Sequence, residues 1–221
     1  MKAKRLINLS LLIGLATLSA NTMAYQYNEQ ELLVEGINAL TGKNGAPQNY
    51  QKAFDIFMNL AKEKNNVVAQ FNLGAMYANA QGVKLDFTQA AKWYEKAAKQ
   101  GFHLAQSNLA TLYTNGQGVP QDYSKALYWN QKAAAQGDYR AQFNLGLQYY
   151  KGLGITQNFS QAREFFSRSA KQGYPDAIYN LGVMYKNGVG VKPDSSKAKS
   201  LYANACEKGL QQACHAYYNM N

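Results

Sequence analysis

The stretch that decides the fold is AQSNLATLYTNGQGVPQDYSKALYWNQKAAAQGDYR, residues 105–140, because its pattern recurs along the chain every 36 residues. Each copy opens with the same alanine, carries the same leucine and tyrosine, and closes with the same glycine. The opening alanines are Ala69, Ala105, Ala141, Ala177 and Ala213, and the closing glycines are Gly101, Gly137, Gly173 and Gly209. A fixed period of this length is the mark of a solenoid, in which each repeat stacks on its neighbours.

Each copy contains two predicted helices. The first has apolar residues at helical spacing, such as Ala141, Leu145 and Tyr149, and ends at a glycine suited to a left-handed cap. The second follows a capping side chain. These caps are Asp86, Asp122, Asn158 and Asp194. The pattern predicts an all-α fold, a right-handed α-solenoid of antiparallel helix pairs with a 36-residue repeat, whose core is built by small residues facing large aromatic ones.

The N-terminus has the features of a signal peptide. Three basic residues within the first five precede an apolar run of 13 residues, and small residues lead up to Ala24. The run is shorter than the roughly 18–20 residues that a membrane span needs. We therefore predict a signal peptide at residues 1–24, cleaved between Ala24 and Tyr25, and a periplasmic or secreted protein. An uncleaved membrane anchor is the alternative.

The mature chain divides into two predicted parts. Residues 25–48 form an irregular N-terminal cap helix and loop, and residues 49–221 form the solenoid. The full repeats are expected at about 69–104, 105–140, 141–176 and 177–212, with a partial repeat before them and a capping helix after them. Terminal units of a solenoid are often atypical, because one of their faces has no neighbouring repeat.

The chain is basic, with a net charge of +10 that falls to +7 when the leader is removed. Such a charge can favour an acidic partner, an anionic membrane or nucleic acid. No basic run exceeds two or three residues, and an exported chain rarely meets nucleic acid. A solvated basic surface is the favoured interpretation, with no nucleic-acid partner and no membrane span after removal of the signal.

The pattern A-x-x-x-L-G-x-x-Y-x-x-G-x-G-V-x-x-D-x-x-x-A-x-x-W-x-x-x-A-A-x-x-G resembles the Sel1-like repeat of the tetratricopeptide-like superfamily. Four consecutive copies carry it with substitutions, at residues 69–101, 105–137, 141–173 and 177–209. The resemblance implies an adaptor that binds a protein partner on its concave face. It also implies candidate roles, namely an immunity protein against a secreted phospholipase effector or an envelope scaffold.

The two cysteines replace repeat residues at the C-terminal end. Cys206 stands where earlier copies have Ala98, Ala134 and Ala170. Cys214 stands where they have Gln70, Gln106, Gln142 and Ile178. An even pair of cysteines in an exported protein predicts a disulfide. The C-x7-C spacing resembles that of the cysteine-rich secreted Sel1-like proteins of bacteria, and this resemblance implies a bond that holds the terminal hairpin.

Positions that vary between copies on the first helix define a candidate partner-binding surface. They are Phe71, Phe143, Leu147, Tyr150, Tyr179, Val183 and Lys186. If they are exposed, they form an apolar and aromatic patch of the kind that marks binding surfaces. The alternative is that several of them pack between repeats, and the sequence does not decide between the two.

An enzymatic function is the minor alternative. Ser196 and Lys199 match the S-x-x-K motif of penicillin-recognising enzymes, which would make the chain a β-lactamase-like or peptidoglycan-fragment hydrolase. A small hydroxyl residue recurs at the Ser196 position in the other copies, and the companion motifs S-D-N and K-T-G are absent. His103 and His215 have no metal-site spacing and are expected to face solvent. The sequence therefore predicts a non-enzymatic protein with no metal and no cofactor.

Overall fold

The computed structural model describes residues 20–45 and 47–220, with side chains from residue 28 onward. These residues form eleven helices and no strand. The helices are α1 (Ala20–Thr41), α2 (Tyr50–Glu63), α3 (Val67–Ala78), α4 (Phe87–Lys99), α5 (His103–Asn115), α6 (Tyr123–Ala135), α7 (Tyr139–Lys151), α8 (Phe159–Lys171), α9 (Pro175–Asn187), α10 (Ser195–Glu207) and α11 (Gln211–Tyr218). Most of the predicted signal peptide lies outside the described residues. Its cleavage point, Ala24 to Tyr25, falls within α1 and stays a prediction.

Residues 20–65 form one compact unit in which α1 packs against α2. Gly36 permits the close contact, because a Cβ atom there would lie 2.8 Å from Cε1 of the buried Phe57. An ion pair of 2.8 Å between Lys52 and Glu35 also joins the two helices. The contacts group α2, the partial repeat, with the helix before it. The predicted boundary between residues 48 and 49 stays a prediction.

Residues 66–220 form the second unit, an α-solenoid of helix pairs. We call α3, α5, α7, α9 and α11 the first helices, and α4, α6, α8 and α10 the second helices. Within a pair, a glycine of the first helix faces an aromatic ring of the second. A Cβ atom on Gly74 would lie 2.5 Å from the ring of Tyr94, and Gly182 faces Tyr202 in the same way. Glycine and ring together therefore set how closely each pair packs.

The predicted caps define where the helices begin and end. The carboxylate of Asp122 accepts a hydrogen bond from the amide of Lys125 at 2.9 Å, and the equivalent caps of the other second helices do the same. Gly116 adopts the left-handed conformation that ends α5, with φ of 66°. Ala80 replaces this glycine after α3 and keeps a positive φ of 54°, while α3 ends one residue earlier in the register.

A buried glutamine links each of two interior repeats to the one before it. Gln106 of α5 donates from Nε2 to the carbonyl of Ala98 in α4 at 3.1 Å, and its Oε1 accepts from Gln136 at 2.9 Å. One repeat later, Gln142 donates to the carbonyl of Ala134. We call this contact the glutamine staple. At the end of the chain the predicted disulfide between Cys206 and Cys214 is confirmed, and it joins the same two register positions.

Candidate functional site

The predicted binding residues lie on the first helices, where the six apolar ones are half-buried and Lys186 is exposed. Their aromatic rings also contact other rings. The ring centre of Phe143 lies 5.1 Å from that of Tyr174, and that of Tyr179 lies 5.4 Å from that of Tyr202. Each of these residues therefore packs within the solenoid and still leaves part of its side chain at the surface.

A hollow of about 220 Å³ opens on this face between α5 and α7. It is lined by Thr111, Thr114, Asn115, Asn130, Asn144, Leu147, Gln148, Lys151 and Leu153. Its most buried member is Asn130 of α6, which has no exposed surface. Nδ2 of Asn130 donates to Oε1 of Gln148 at 2.9 Å, and Nε2 of Gln148 donates to the carbonyl of Tyr123 at 3.2 Å. Within the part of the chain that the structure describes, Oδ1 of Asn130 has no hydrogen-bond partner.

Three departures from the repeat pattern produce this hollow. Other copies have Tyr94, Phe166 and Tyr202 at the position of Asn130, and Met76, Leu112 and Met184 at that of Gln148. Ala110 takes the place of the glycine that faces the ring in those copies. A Cβ atom at that glycine would overlap the ring, so Ala110 excludes an aromatic residue at position 130. The smaller Asn130 leaves the space, and Gln148 gives its amide a partner.

The chemistry of the hollow suits a neutral hydrogen-bond donor. The Thr111 and Thr114 hydroxyls donate to carbonyls of their own helix, at 3.1 and 2.9 Å, which leaves their oxygens able to accept. Oδ1 of Asn130 is a further acceptor. The exposed Lys151 at the rim repels a cation. An amide or hydroxyl side chain combines the right size with the required donor.

A family model for the Sel1 repeat matches residues 37–57, 67–102, 103–138, 140–174 and 175–210. The chain belongs to the Sel1 repeat family. This match confirms the resemblance stated from the sequence. The Sel1 repeat is a protein–protein interaction module. No curated protein matches this chain.

Two solved structures are similar to this Sel1 repeat protein over most of its length. A protective antigen of uropathogenic Escherichia coli strains, displaying an SLR fold, is 31% identical with a TM-score of 0.82, over 97% of this chain and 44% of its own. A Sel1 repeat protein from Oxalobacter formigenes is 34% identical with a TM-score of 0.77, over 84% of this chain and 75% of its own. This chain therefore spans less than half of the first relative.

A third similarity shows the fold alone. An immunity protein from Pseudomonas aeruginosa is 22% identical with a TM-score of 0.53, over 84% of this Sel1 repeat protein and 66% of its own chain.

Among the described residues, none of the helices is both long and apolar enough to cross a bilayer.

The S-x-x-K pair of this Sel1 repeat protein lies on α10, at the surface. Ser196 is exposed in the first turn, and Nζ of Lys199 lies 5.7 Å from the centre of the Tyr217 ring. In the described ranges, no group of three or more histidine, cysteine, aspartate and glutamate side chains is placed to hold a metal ion.

The two histidines differ in their surroundings. His215 is exposed, as expected. The side chain of His103 is 40% exposed, and its Nδ1 lies 3.0 Å from Oδ2 of the buried Asp138. The other oxygen of Asp138 accepts from the amide of Ala141 at 2.8 Å and caps α7. His103 therefore links the start of one first helix to the cap of the next.

Proposed function

We propose that this chain is an exported, non-enzymatic adaptor that holds a protein partner on the face of its first helices. The observation that carries the proposal is Oδ1 of Asn130, a buried acceptor without a partner at the bottom of a hollow that opens on that face. Buried polar atoms in native proteins are nearly always hydrogen-bonded. Because Asn130 has no exposed surface, a donor side chain of the partner reaches this atom from the hollow only when the lining side chains move aside, and it then completes the hydrogen bond.

The surface around the hollow supports the same interpretation. Leu147 lines the hollow, and Tyr150 and Phe143 lie half-buried on the same helix, α7. Interfaces often combine partly buried aromatic anchors with a few placed polar groups. The predicted binding residues therefore supply apolar contact, and Asn130 supplies the specific polar contact that they lack.

Export is part of the proposal. The disulfide between Cys206 and Cys214 fits an oxidising compartment, such as the periplasm or the extracellular medium. The two roles that the family resemblance implies, immunity against a secreted phospholipase effector and envelope scaffolding, both need a partner-holding face. Immunity is tested by co-expressing this chain with an effector encoded beside it and measuring survival.

The proposal is tested by removing the polar pair while keeping the core filled. In the variant Asn130→Leu/Gln148→Met, apolar groups of similar size replace both hydrogen-bonding partners, which is expected to leave thermal stability unchanged or raised. Partner capture from a cell-envelope extract is expected to fall at least about tenfold, because the variant lacks the buried hydrogen bond between Oδ1 of Asn130 and the partner. Phe143→Ala/Tyr150→Ala is expected to weaken the same capture.

Tyr128→Ala is the matched control, because Tyr128 is an exposed aromatic residue on a second helix. It is expected to retain every partner. If all three variants retain the same partners as the wild type, the first-helix face is not the binding surface. Turnover of nitrocefin by the wild type that is lost in Ser196→Ala would contradict the non-enzymatic part of the proposal.

A further inference from the structure

Positive charge is concentrated on the second helices. Together α4, α6, α8 and α10 carry ten lysine and arginine residues against three glutamates. The described first helices carry three such cations against one aspartate. The basic character of the chain is therefore not spread evenly, and it lies on a different layer from the hollow at Asn130.

A groove of about 680 Å³ runs between α8 and α10 on the second-helix layer. Four cations line it: Arg163, Arg168, Lys171 and Lys197. Among the described residues of its lining, the one carboxylate belongs to Glu164, which is ion-paired with Arg168. The half-buried Leu201 adds an apolar surface to the lining, which also includes the buried Leu181. The groove thus combines an excess of positive charge with an apolar strip.

One departure from the repeat pattern explains why the groove opens here. The position of Leu201 is occupied by Trp93, Trp129 and Phe165 in the preceding copies. The Phe165 ring stacks on Tyr149, with ring centres 5.6 Å apart and planes 7° apart. Leu201 has no ring to stack on the corresponding Tyr185, whose face is approached instead by Nζ of Lys197, 4.2 Å from the ring centre.

Two cations converge on Tyr185 at the centre of this groove. The neighbouring Lys197 and, less strongly, Arg163 lower the pKa of the Tyr185 hydroxyl below its usual value, although partial burial opposes them. The cations come from α10 and α8, so the site spans two repeats. At the corresponding Tyr113, Lys125 lies 5.3 Å from the ring centre but Ala91 takes the place of Arg163.

We propose that the groove between α8 and α10 binds an acidic peptide segment of a partner protein. Its carboxylates lie against Arg163 and Lys197, and its apolar side chains lie on Leu201. The apolar strip favours a peptide over a phosphate or a lipid headgroup, because neither of these has an apolar side chain to place on the strip. This second surface goes beyond the proposed function and does not depend on it.

The test uses a fluorescein-labelled peptide of glutamate, aspartate and leucine, and a matched peptide of glutamine, asparagine and leucine. Fluorescence anisotropy with the full chain is expected to show binding of the acidic peptide alone, weakened by added salt. Arg163→Gln and Lys197→Gln are each expected to raise its Kd about tenfold, because each removes a charge-assisted contact. Lys125→Gln removes the matching lysine at Tyr113 and is expected to change nothing.

Leu201→Trp keeps every charge but restores the ring of the other copies, so it is expected to fill the groove and abolish binding. If Lys125→Gln and Lys197→Gln weaken binding of the acidic peptide equally, the attraction comes from the overall positive charge of the protein and not from the groove, which would overturn the proposal. Binding of phosphatidylglycerol vesicles without binding of the peptide would also overturn it. Asn130→Leu/Gln148→Met is expected to bind the peptide normally, so failure at the first-helix face is distinguishable from failure here. If Leu201→Trp does not fold by circular dichroism, the two glutamine variants decide the result.

Discussion

Two interior junctions of the solenoid, α4–α5 and α6–α7, and its last junction join the same two register positions by different chemistry. At the junction of α4 and α5, Gln106 donates to the carbonyl of Ala98. At the junction of α10 and α11, Cys214 is bonded to Cys206, with Cα atoms 4.6 Å apart. The repeat geometry thus fixes which positions meet, while the residues placed there decide the strength of the link.

The difference follows from what lies beyond each junction. Gln106 also accepts a hydrogen bond from Gln136 at the start of the next junction, so interior links support each other. Among the described residues, the hairpin of α10 and α11 packs against one neighbouring repeat, and no residue provides such a hydrogen bond at position 214. A covalent bond is suited to this position because it does not depend on a following repeat.

The largest expected effect comes from removing the covalent link. Cys206→Ser/Cys214→Ser is expected to lower the free energy of unfolding of the terminal hairpin by about 2–3 kcal/mol, the amount that closure of a short loop contributes. Hydrogen exchange is expected to speed up in the amides of α11 and to stay unchanged in α5. Uniform acceleration along the solenoid would show that the last junction is not a separate unit.

The converse change places the covalent link inside the solenoid. Ala134→Cys/Gln142→Cys is expected to form a disulfide under air oxidation, because these residues hold the register positions of Cys206 and Cys214. The expected gain is about 1–2 kcal/mol, since the new bond replaces hydrogen bonds of Gln142. The shift in Tm on adding reductant, minus the shift of the wild type, whose disulfide between Cys206 and Cys214 is also reduced, measures it. A pair that stays reduced would mean that the two junctions differ in backbone geometry.

The smallest expected effect concerns the glutamine staple. Gln106→Ala is expected to lower the free energy of unfolding by about 1 kcal/mol, because it removes two hydrogen bonds of a buried side chain. Gln106→Ile is expected to have less effect, since Ile178 occupies this position one junction before the end and is buried. Urea unfolding of both variants measures the difference. Equal losses would assign the role of Gln106 to its hydrogen bonds rather than to its volume.

The sequence predicts most of the fold, because the repeat pattern records it directly. The caps at Asp122 and its equivalents, the glycines that end the first helices and the cysteine pair all follow from one register. Each of these features depends on residues close in sequence or on one pair of stacked helices. Local rules are therefore sufficient to predict them.

The hollow was not predictable in the same way. Ala110, Asn130 and Gln148 lie on three different helices, and each change is modest when it is considered alone. Their joint effect depends on how closely those helices pack, which the period does not reveal. The half-buried state of Phe143 and the contact between His103 and Asp138 depend on the same spacing. The available signal was the departure from the register at those positions, together with the loss of the ring at Leu201.

The glutamine staple joins residues eight and thirty apart, and both intervals lie within one 36-residue step. If residues 105–140 were deleted, Gln142 would follow Ala98 at the distance along the chain that Gln106 has now. The length of this protein can therefore change by whole 36-residue repeats without altering the contacts between the repeats that remain. Removing that repeat would delete Ala110 and Asn130 together. Binding specificity can therefore be gained or lost with a single repeat, while the glutamine staple still joins the remaining repeats.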